Sequence, residues 1–217
     1  MVVDDHALFR ESLDLTLTIE GYDVGSIELP ETGLTAAAML SGVLRQSPRL
    51  VLLDLDLGPS GDGVVLVEPL AKAGIDVVVL TALADRSRWG EAVRQGARKV
   101  VSKSAPLRDA LAVVRRLHQG LAVTTVEERE ALIRHYVDTR AQKVDHRDRL
   151  RVLTRREAEV LGQLMVGRGV REIAAAWTVS EATVRTQVKA VLSKLDVSSQ
   201  VAAVGLARRA GWSVPTD

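Results

Sequence analysis

The segment Arg49-Leu-Val-Leu-Leu-Asp54 is the clearest indication of the fold of this chain. It is apolar between its two charged ends and too short for a helix, which is typical of a strand buried on both faces. Three other short apolar runs lead into polar residues: the acid pair Asp4-Asp5, the hydroxyl of Thr81 and the ammonium of Lys103. In an open α/β sheet, functional groups collect beyond the carboxyl ends of the strands. The sequence therefore predicts that these four polar positions meet at one edge of a sheet.

Strand-like and helix-like segments alternate through residues 1–118, which predicts five strands and five helices in a doubly wound parallel sheet. Besides the short strand before Asp4, the predicted strands are Tyr22–Ile27, Arg49–Asp54, Asp76–Leu80 and Val100–Val101. The predicted helices are His6–Glu20, Thr35–Gln46, Gly63–Ala73, Ala84–Gln95 and Leu107–His118.

The remainder of the chain has a different composition. Charged residues crowd Thr124–Arg149 beside an apolar stripe at helical spacing, which indicates a linker, partly helical, over residues 119–149. From residue 150 to 217 the periodicity is that of an all-α domain. Its predicted helices are Arg155–Met165, Val170–Trp177, Glu181–Leu195 and Ser199–Ala210.

Composition excludes several classes of protein. The 217 residues contain no cysteine, which excludes disulfides, thiolate metal sites and cysteine nucleophiles and fits a reducing cytoplasm. No apolar run reaches membrane-spanning length. The six aromatic residues are too few for a platform that stacks single-stranded nucleic acid. Residues 1–118 carry a net charge of −3 and residues 119–217 a net charge of +4, so the second half is the part expected to face a polyanion.

The predicted acidic pocket needs a cation, because carboxylates close to one another repel. A small hard ion with oxygen ligands fits best, most simply Mg²⁺. We expect Asp5 and Asp54 to be direct ligands and Asp4 to lie in the outer shell. With Mg²⁺ bound, Asp54 is a plausible nucleophile toward phosphorus. Thr81 and Lys103 can then donate to the oxygens of the incoming phosphoryl group.

Residues 1–118 resemble the receiver domain of bacterial two-component response regulators through Asp4-Asp5-His6, Leu53-Asp54-Leu55, Thr81-Ala82 and Lys103. The resemblance implies a flavodoxin-like fold and phosphorylation of Asp54 by a sensor histidine kinase. It also implies that the backbone carbonyl of Asp56 completes the Mg²⁺ site. One departure concerns signalling: Val100 stands where many receivers carry a Tyr or Phe that turns inward on activation.

Three segments resemble the helix-turn-helix of the NarL/FixJ (LuxR-type) regulators: Leu153–Leu161, Arg171–Ala174 and Val179–Leu195. The third predicted helix carries an apolar stripe at helical spacing, formed by Val184, Val188, Val191, Leu192 and Leu195. Its polar face carries residues suited to base edges or phosphates in the major groove, namely Arg185, Thr186 and Lys189. Phosphate contacts are expected from Ser180, Thr183 and Arg171.

Together these features predict a bacterial, cytoplasmic transcription factor that binds double-stranded DNA as a homodimer under the control of phosphorylation. Such a protein catalyses its own phosphoryl uptake and loss but is not a turnover enzyme. Two other classes stay open. Asp54-Leu-Asp56 also resembles the Asp-x-Asp of haloacid-dehalogenase-type phosphatases, although that motif normally follows the first strand. A ligand-gated regulator of the quorum-sensing type would share the DNA-binding module but leave the acidic set without a role.

Overall fold

A computed structural model describes residues 1–27 and 29–214. The chain divides into two compact units, Met1–Val137 and Asp138–Asp217. Among the described residues, no helix has both the length and the apolar character needed to cross a membrane.

The first unit is built on a parallel sheet. Its strands are β1 (Val2–Val3), β2 (Leu50–Leu53), β3 (Asp76–Thr81) and β4 (Lys99–Ser102), hydrogen-bonded in the order β1-β2-β3-β4. The register pairs Val3 with Leu53, Leu53 with Val79 and Val79 with Val100. Nearly all of β2 and β3 is buried, as expected for strands covered on both faces. The predicted fold class, an α/β parallel sheet followed by an all-α domain, is confirmed.

The predicted strand count was wrong, because the described residues form four strands rather than five. In the predicted second strand, Tyr22–Ile27, only Ser26 forms a bridge, to Val2 on the outer edge of β1, where the Val2 N–H donates to Gly25 O over 2.9 Å. Two physical reasons account for the missing strand. Asp23 and Gly25 are poor strand formers, and β1 offers only two residues to pair with.

Five helices cover the two faces of the sheet: α1 (Ala7–Ile19), α2 (Ala36–Gln46), α3 (Val64–Lys72), α4 (Arg86–Gln95) and α5 (Leu107–His118). Buried residues of α1 and α5 pack with one face, and those of α2, α3 and α4 pack with the other. Side chains fix two helix starts, since Thr35 accepts from Ala38 N and Asp85 accepts from Ser87 N. The sheet is thus doubly wound, which brings its functional edge to the carboxyl ends of the strands.

The predicted linker is helical from Val126 onward, in a single long helix α6 (Val126–Arg151). Its N-terminal part packs within the first unit, where Leu132 and Tyr136 are buried. Its C-terminal part packs within the second unit, where Leu150 joins the core.

Up to residue 214, the second unit contains four further helices: α7 (Arg155–Met165), α8 (Val170–Trp177), α9 (Glu181–Lys194) and α10 (Gln200–Arg209). Each agrees with its sequence prediction to within one residue at either end. Strong local signals explain this agreement. Thr154 accepts from Glu157 N while Thr154 N donates to Glu157 Oε2, a capping box that starts α7. Ser180 caps α9 by accepting from Thr183 N.

Candidate functional site

Two adjacent strands bring the acidic residues together. Asp4 follows β1 and Asp54 follows β2, and the pairing of Val3 with Leu53 places the two carboxyl groups beside each other. Both are almost inaccessible, at 1% and 3% exposure. Buried carboxylates are rare without a counter-charge, so this pair marks the edge of the sheet at which a cation is needed.

The side chain of Lys103 supplies a positive charge to this pair. Its ammonium hydrogen-bonds Asp54 Oδ2, and it lies 2.7 Å from Asp4 Oδ2, close enough for an ion pair. The same ammonium lies 4.8 Å from the centre of the Phe9 ring. The lysine is held in place through its backbone, since Lys103 N donates to Thr81 O over 2.8 Å.

Burial and charge act against each other in this cluster. Burial raises the pKa of Asp54 above its ordinary value, although Lys103 and the backbone N–H of Asp56 oppose the rise. Burial alone would lower the pKa of Lys103, but its contacts with Asp4 and Asp54 outweigh burial and raise that pKa. The lysine therefore stays charged at neutral pH and holds the two acids close together.

A divalent cation has a ready set of donors next to this ion pair. Ligand atoms of Asp4, Asp5, His6 and Asp54 all lie within 4.8 Å of one another. Three of the four donors are carboxylates, the oxygen ligands that Mg²⁺ prefers, so the residues present fit such an ion. His6 is an addition to the sequence prediction: its Nδ1 lies 2.8 Å from Asp5 Oδ1. Its position directly after the acid pair was the available signal.

The loop after β2 is shaped around the acidic residues. Asp56 N donates to Asp54 Oδ1 over 3.2 Å, and Asp56 itself is exposed. Two glycines permit close approach here. A Cβ on Gly58 would lie 2.8 Å from Asp5 Oδ2, and a Cβ on Gly63 would lie 2.0 Å from the backbone oxygen of Asp54. Side chains at these two positions would displace the groups that form the pocket.

Thr81 ends β3 and is fully buried. Its Oγ1 accepts a hydrogen bond from Leu83 N over 3.1 Å. The carbonyl of Leu83 in turn accepts from the indole N–H of Trp89 over 2.8 Å. Sequence reasoning found Thr81 but missed Trp89, because nothing in the local pattern of α4 distinguishes this indole from an ordinary core residue.

The second unit presents the polar face predicted for α9. Val184, Val188 and Val191 are buried, whereas Arg185 and Lys189 are exposed. Two contacts on this helix could not be read from the apolar stripe. Arg185 Nη2 lies 2.9 Å from Glu181 Oε2, so the arginine is already paired with an acid one turn earlier. The exposed Thr186 donates from Oγ1 to the carbonyl of Ala182 over 3.0 Å.

The three residues expected to contact phosphates are all exposed. Ser180 and Thr183 lie together at the start of α9, with their hydroxyl oxygens 2.8 Å apart. Helix N-termini favour anions because their backbone N–H groups point outward. Arg171 lies in the first turn of α8.

Comparison with known families agrees with both units. Residues 1–115 match the response regulator receiver domain, and residues 151–207 match the bacterial regulatory proteins of the luxR family. The chain belongs to the NarL/FixJ-family response regulators. The family consists of transcription regulators and not of turnover enzymes. The receiver match also distinguishes this response regulator from ligand-gated regulators of the quorum-sensing type.

Relatives of this response regulator match it along most of its length. It is 24% identical to the oxygen regulatory protein NreC of Staphylococcus carnosus (strain TM300) over 203 residues, which are 92% of each chain. The RcsB response regulator of Salmonella typhimurium shares 22% identity and a TM-score of 0.50, over 95% of this chain and 96% of that one. Response regulator ChrA of a heme-sensing two-component system shares 28% identity and a TM-score of 0.47, over 96% and 95%. The likeness to RcsB supports the fold alone.

Proposed function

We propose that a sensor histidine kinase phosphorylates Asp54 and that this phosphorylation controls binding of double-stranded DNA and transcription. The observation that carries the proposal is the ammonium of Lys103 between the buried carboxylates of Asp4 and Asp54. A structural ion pair needs one acid for one base. Here a second buried acid stands beside the pair, and Asp5 lies close by with a partly exposed side chain. This surplus of negative charge is suited to Mg²⁺ and a phosphoryl group.

In this proposal Asp5, Asp54 and the backbone carbonyl of Asp56 would hold Mg²⁺, and Asp4 would lie in its outer shell. When bound, Mg²⁺ neutralises charge on the phosphoryl oxygens as they approach the carboxylates. An oxygen of Asp54 forms the new bond to phosphorus while the bond to the donor breaks. Hydrolysis of the resulting acyl phosphate by water restores Asp54, so the receiver catalyses its own dephosphorylation.

Two neighbouring groups would stabilise the phosphorylated state. The ammonium of Lys103 exchanges its hydrogen bond with Asp54 for one with a phosphoryl oxygen. The hydroxyl of Thr81 donates to another phosphoryl oxygen, since accepting from Leu83 N does not use its own proton. Thr81 ends β3, the neighbour of the strand that leads to Asp54, whereas Lys103 follows β4 and reaches Asp54 with its long side chain.

We further propose that two copies bind a two-fold DNA site, each placing α9 in the major groove. Arg185, Thr186 and Lys189 then face base edges or phosphates, and Ser180, Thr183 and Arg171 contact phosphates. The corresponding domains are a receiver at 1–118, a linker at 119–149 and a DNA-binding domain at 150–217.

A phosphodonor experiment tests the acceptor. The purified chain is incubated with a small acyl phosphate and Mg²⁺, and the acid-labile phosphoryl group is detected by intact mass. Asp54→Asn should abolish the added mass. Asp56→Asn is the matched control and should keep it, because only the backbone carbonyl of Asp56 is assigned a role. Labelling that persists in Asp54→Asn, or that disappears only in Asp56→Asn, would contradict the assignment.

A selection experiment tests the output. Random double-stranded DNA is selected with the protein in the presence and absence of the phosphodonor, and the bound sequences are determined. We expect two-fold symmetric sites that are enriched more strongly after phosphorylation. Equal enrichment in both arms would refute control by phosphorylation.

A further inference from the structure

A chain of two hydrogen bonds connects the Thr81 hydroxyl to helix α4. Leu83 N donates to Thr81 Oγ1 over 3.1 Å, and Leu83 O accepts from Trp89 Nε1 over 2.8 Å. Leu83 is therefore held at both its amide and its carbonyl. Any movement of Thr81 that keeps the first bond must also shift the indole of Trp89 or break the second bond.

Helix α4 also contacts α6 at the residue after Trp89. A Cβ on Gly90 would lie 2.1 Å from Leu132 O and 2.8 Å from Tyr136 Cβ, so the backbones of the two helices approach to a distance that only glycine permits. Leu132 and Tyr136 are buried there, at 6% and 7% exposure. The guanidinium of Arg94 lies 5.8 Å from the centre of the Tyr136 ring, so a second residue of α4 faces the same helix.

Strand β4, which pairs with β3, contains no aromatic residue that could transmit a movement of Thr81. Val100 pairs with Val79, and its aliphatic side chain is only 8% exposed. A valine has no polar atom and little freedom at χ1. The hydrogen bonds from Thr81 through Leu83 to Trp89 thus connect the end of β3 to α4, and the close approach at Gly90 connects α4 to α6.

We propose that Trp89 is a positioning residue that transmits movement of Thr81 to α4 and, through Gly90, to the N-terminal part of α6. This inference rests on the proposed phosphorylation of Asp54. A phosphoryl group on Asp54 draws the Thr81 hydroxyl toward it. Leu83 follows because its N–H is bonded to that hydroxyl, and Trp89 follows because its indole is bonded to the Leu83 carbonyl. Movement of α4 then changes the packing of Leu132 against Gly90.

The test is hydrogen exchange of the full chain with and without phosphodonor and Mg²⁺. Trp89→Phe keeps an aromatic ring in the same place but removes the N–H donor. Trp177→Phe makes the same chemical change in the second unit and serves as the matched control. Intact mass gives the level of phosphorylation in each sample, and peptides covering residues 126–137 report the packing of α6.

We expect phosphorylation of the wild-type chain and of Trp177→Phe to change deuterium uptake in residues 126–137. Trp89→Phe should be phosphorylated to the same level but lose that change. If Trp89→Phe responds as the wild type does, the connection through Trp89 is refuted while the proposed function stands. If the wild-type chain takes up no phosphoryl group, both proposals fail.

A second variant guards against a general loss of structure in Trp89→Phe. Gly90→Ala places a methyl group against Leu132 O and should raise deuterium uptake in residues 126–137 before any phosphodonor is added. Phosphorylation of Asp54 should continue in Gly90→Ala, because Thr81, Leu83 and Trp89 are unchanged. If deuterium uptake in residues 126–137 is the same in Gly90→Ala as in the wild type, the contact between Gly90 and Leu132 does not have the proposed role.

Discussion

Replacing Lys103 by methionine removes the ammonium that lies between Asp4 and Asp54. The methionine keeps much of the aliphatic volume, so the change is chiefly one of charge. Asp4 and Asp54 are 1% and 3% exposed, and both would remain buried without this counter-charge. Removing one member of a buried ion pair costs about 3–5 kcal/mol. The side chain of Lys103 is 11% exposed and a carboxylate can take up a proton, so we expect a loss of about 2–4 kcal/mol.

The measurement is the free energy of unfolding of the first unit, taken from urea-dependent hydrogen exchange of peptides that cover β2 and β3. These peptides report the sheet separately from the second unit. Lys72→Met is the matched control, because Lys72 pairs with Glu68 over 2.7 Å on an exposed helix face. That pair should contribute less than about 1 kcal/mol.

Magnesium provides the decisive comparison for Lys103→Met. Without the ammonium of Lys103, the carboxylates of Asp4, Asp5 and Asp54 should bind Mg²⁺ more tightly. An ion that binds only the folded state raises the free energy of unfolding in proportion to the logarithm of the free ion concentration. We expect millimolar Mg²⁺ to restore much of the stability lost in Lys103→Met and to leave Lys72→Met unchanged. An unfolding curve for Lys103→Met that overlays the wild type without Mg²⁺, or a loss that Mg²⁺ does not reduce, would refute the electrostatic reasoning.

Three further predictions follow from single contacts. Burial alone would raise the pKa of Glu157, but its hydrogen bonds with Lys194 and Thr154 and the charge of Lys194 together outweigh burial and lower that pKa. The stability contributed by Glu157 is therefore full above the unfolded-state pKa of about 4.3 and lost as pH falls through the lower folded-state pKa. The free energies of unfolding of the wild type and of Glu157→Gln, measured as the pH is lowered, should converge at low pH. A difference between them that stays constant with pH would be inconsistent with this prediction. Arg185→Ala should reduce the free energy of DNA binding by about 1–3 kcal/mol and relax the base preference at one base pair, which selection of binding sites measures. If binding weakens equally at all sites, Arg185 contacts a phosphate and not a base. Gly63→Ala should destabilise the first unit by about 1–3 kcal/mol, because the new methyl group meets the backbone oxygen of Asp54; thermal unfolding unchanged from the wild type would contradict it.

The sequence predicted those features that have strong local causes. The buried run before Asp54, the capping box at Thr154 and the apolar stripe of α9 each depend on neighbours a few residues away. Prediction failed where the outcome depends on distant partners. Whether Tyr22–Ile27 forms a strand depends on how much of β1 is available to pair with it, and β1 has two residues.

The site shows the same division between local and distant causes. The positions of the strand ends in the sequence predicted that Asp4, Asp54, Thr81 and Lys103 would meet, because the carboxyl ends of parallel strands lie at the same edge of a sheet. The side-chain partners inside that edge are set by three-dimensional packing. The hydrogen bond from Trp89 to Leu83 depends on rotamers, which no spacing rule supplies. The pairing of Arg185 with Glu181, by contrast, has the i, i+4 spacing that favours ion pairs on a helix.

The contact between Gly90 and Leu132 determines where this regulator can be recombined with others. Leu132 belongs to the same apolar cluster as the residues of β2 and β3. A receiver fragment that ends at His118 would lack the part of α6 that packs on Gly90, so the apolar surface that Leu132 covers would be exposed to water. In a chimera joined after His118, a helix from another protein would have to place a backbone carbonyl as close to Gly90 as that of Leu132. A crossover placed after Val137, within α6, keeps the N-terminal part of that helix with its own α4 and transfers only the second unit.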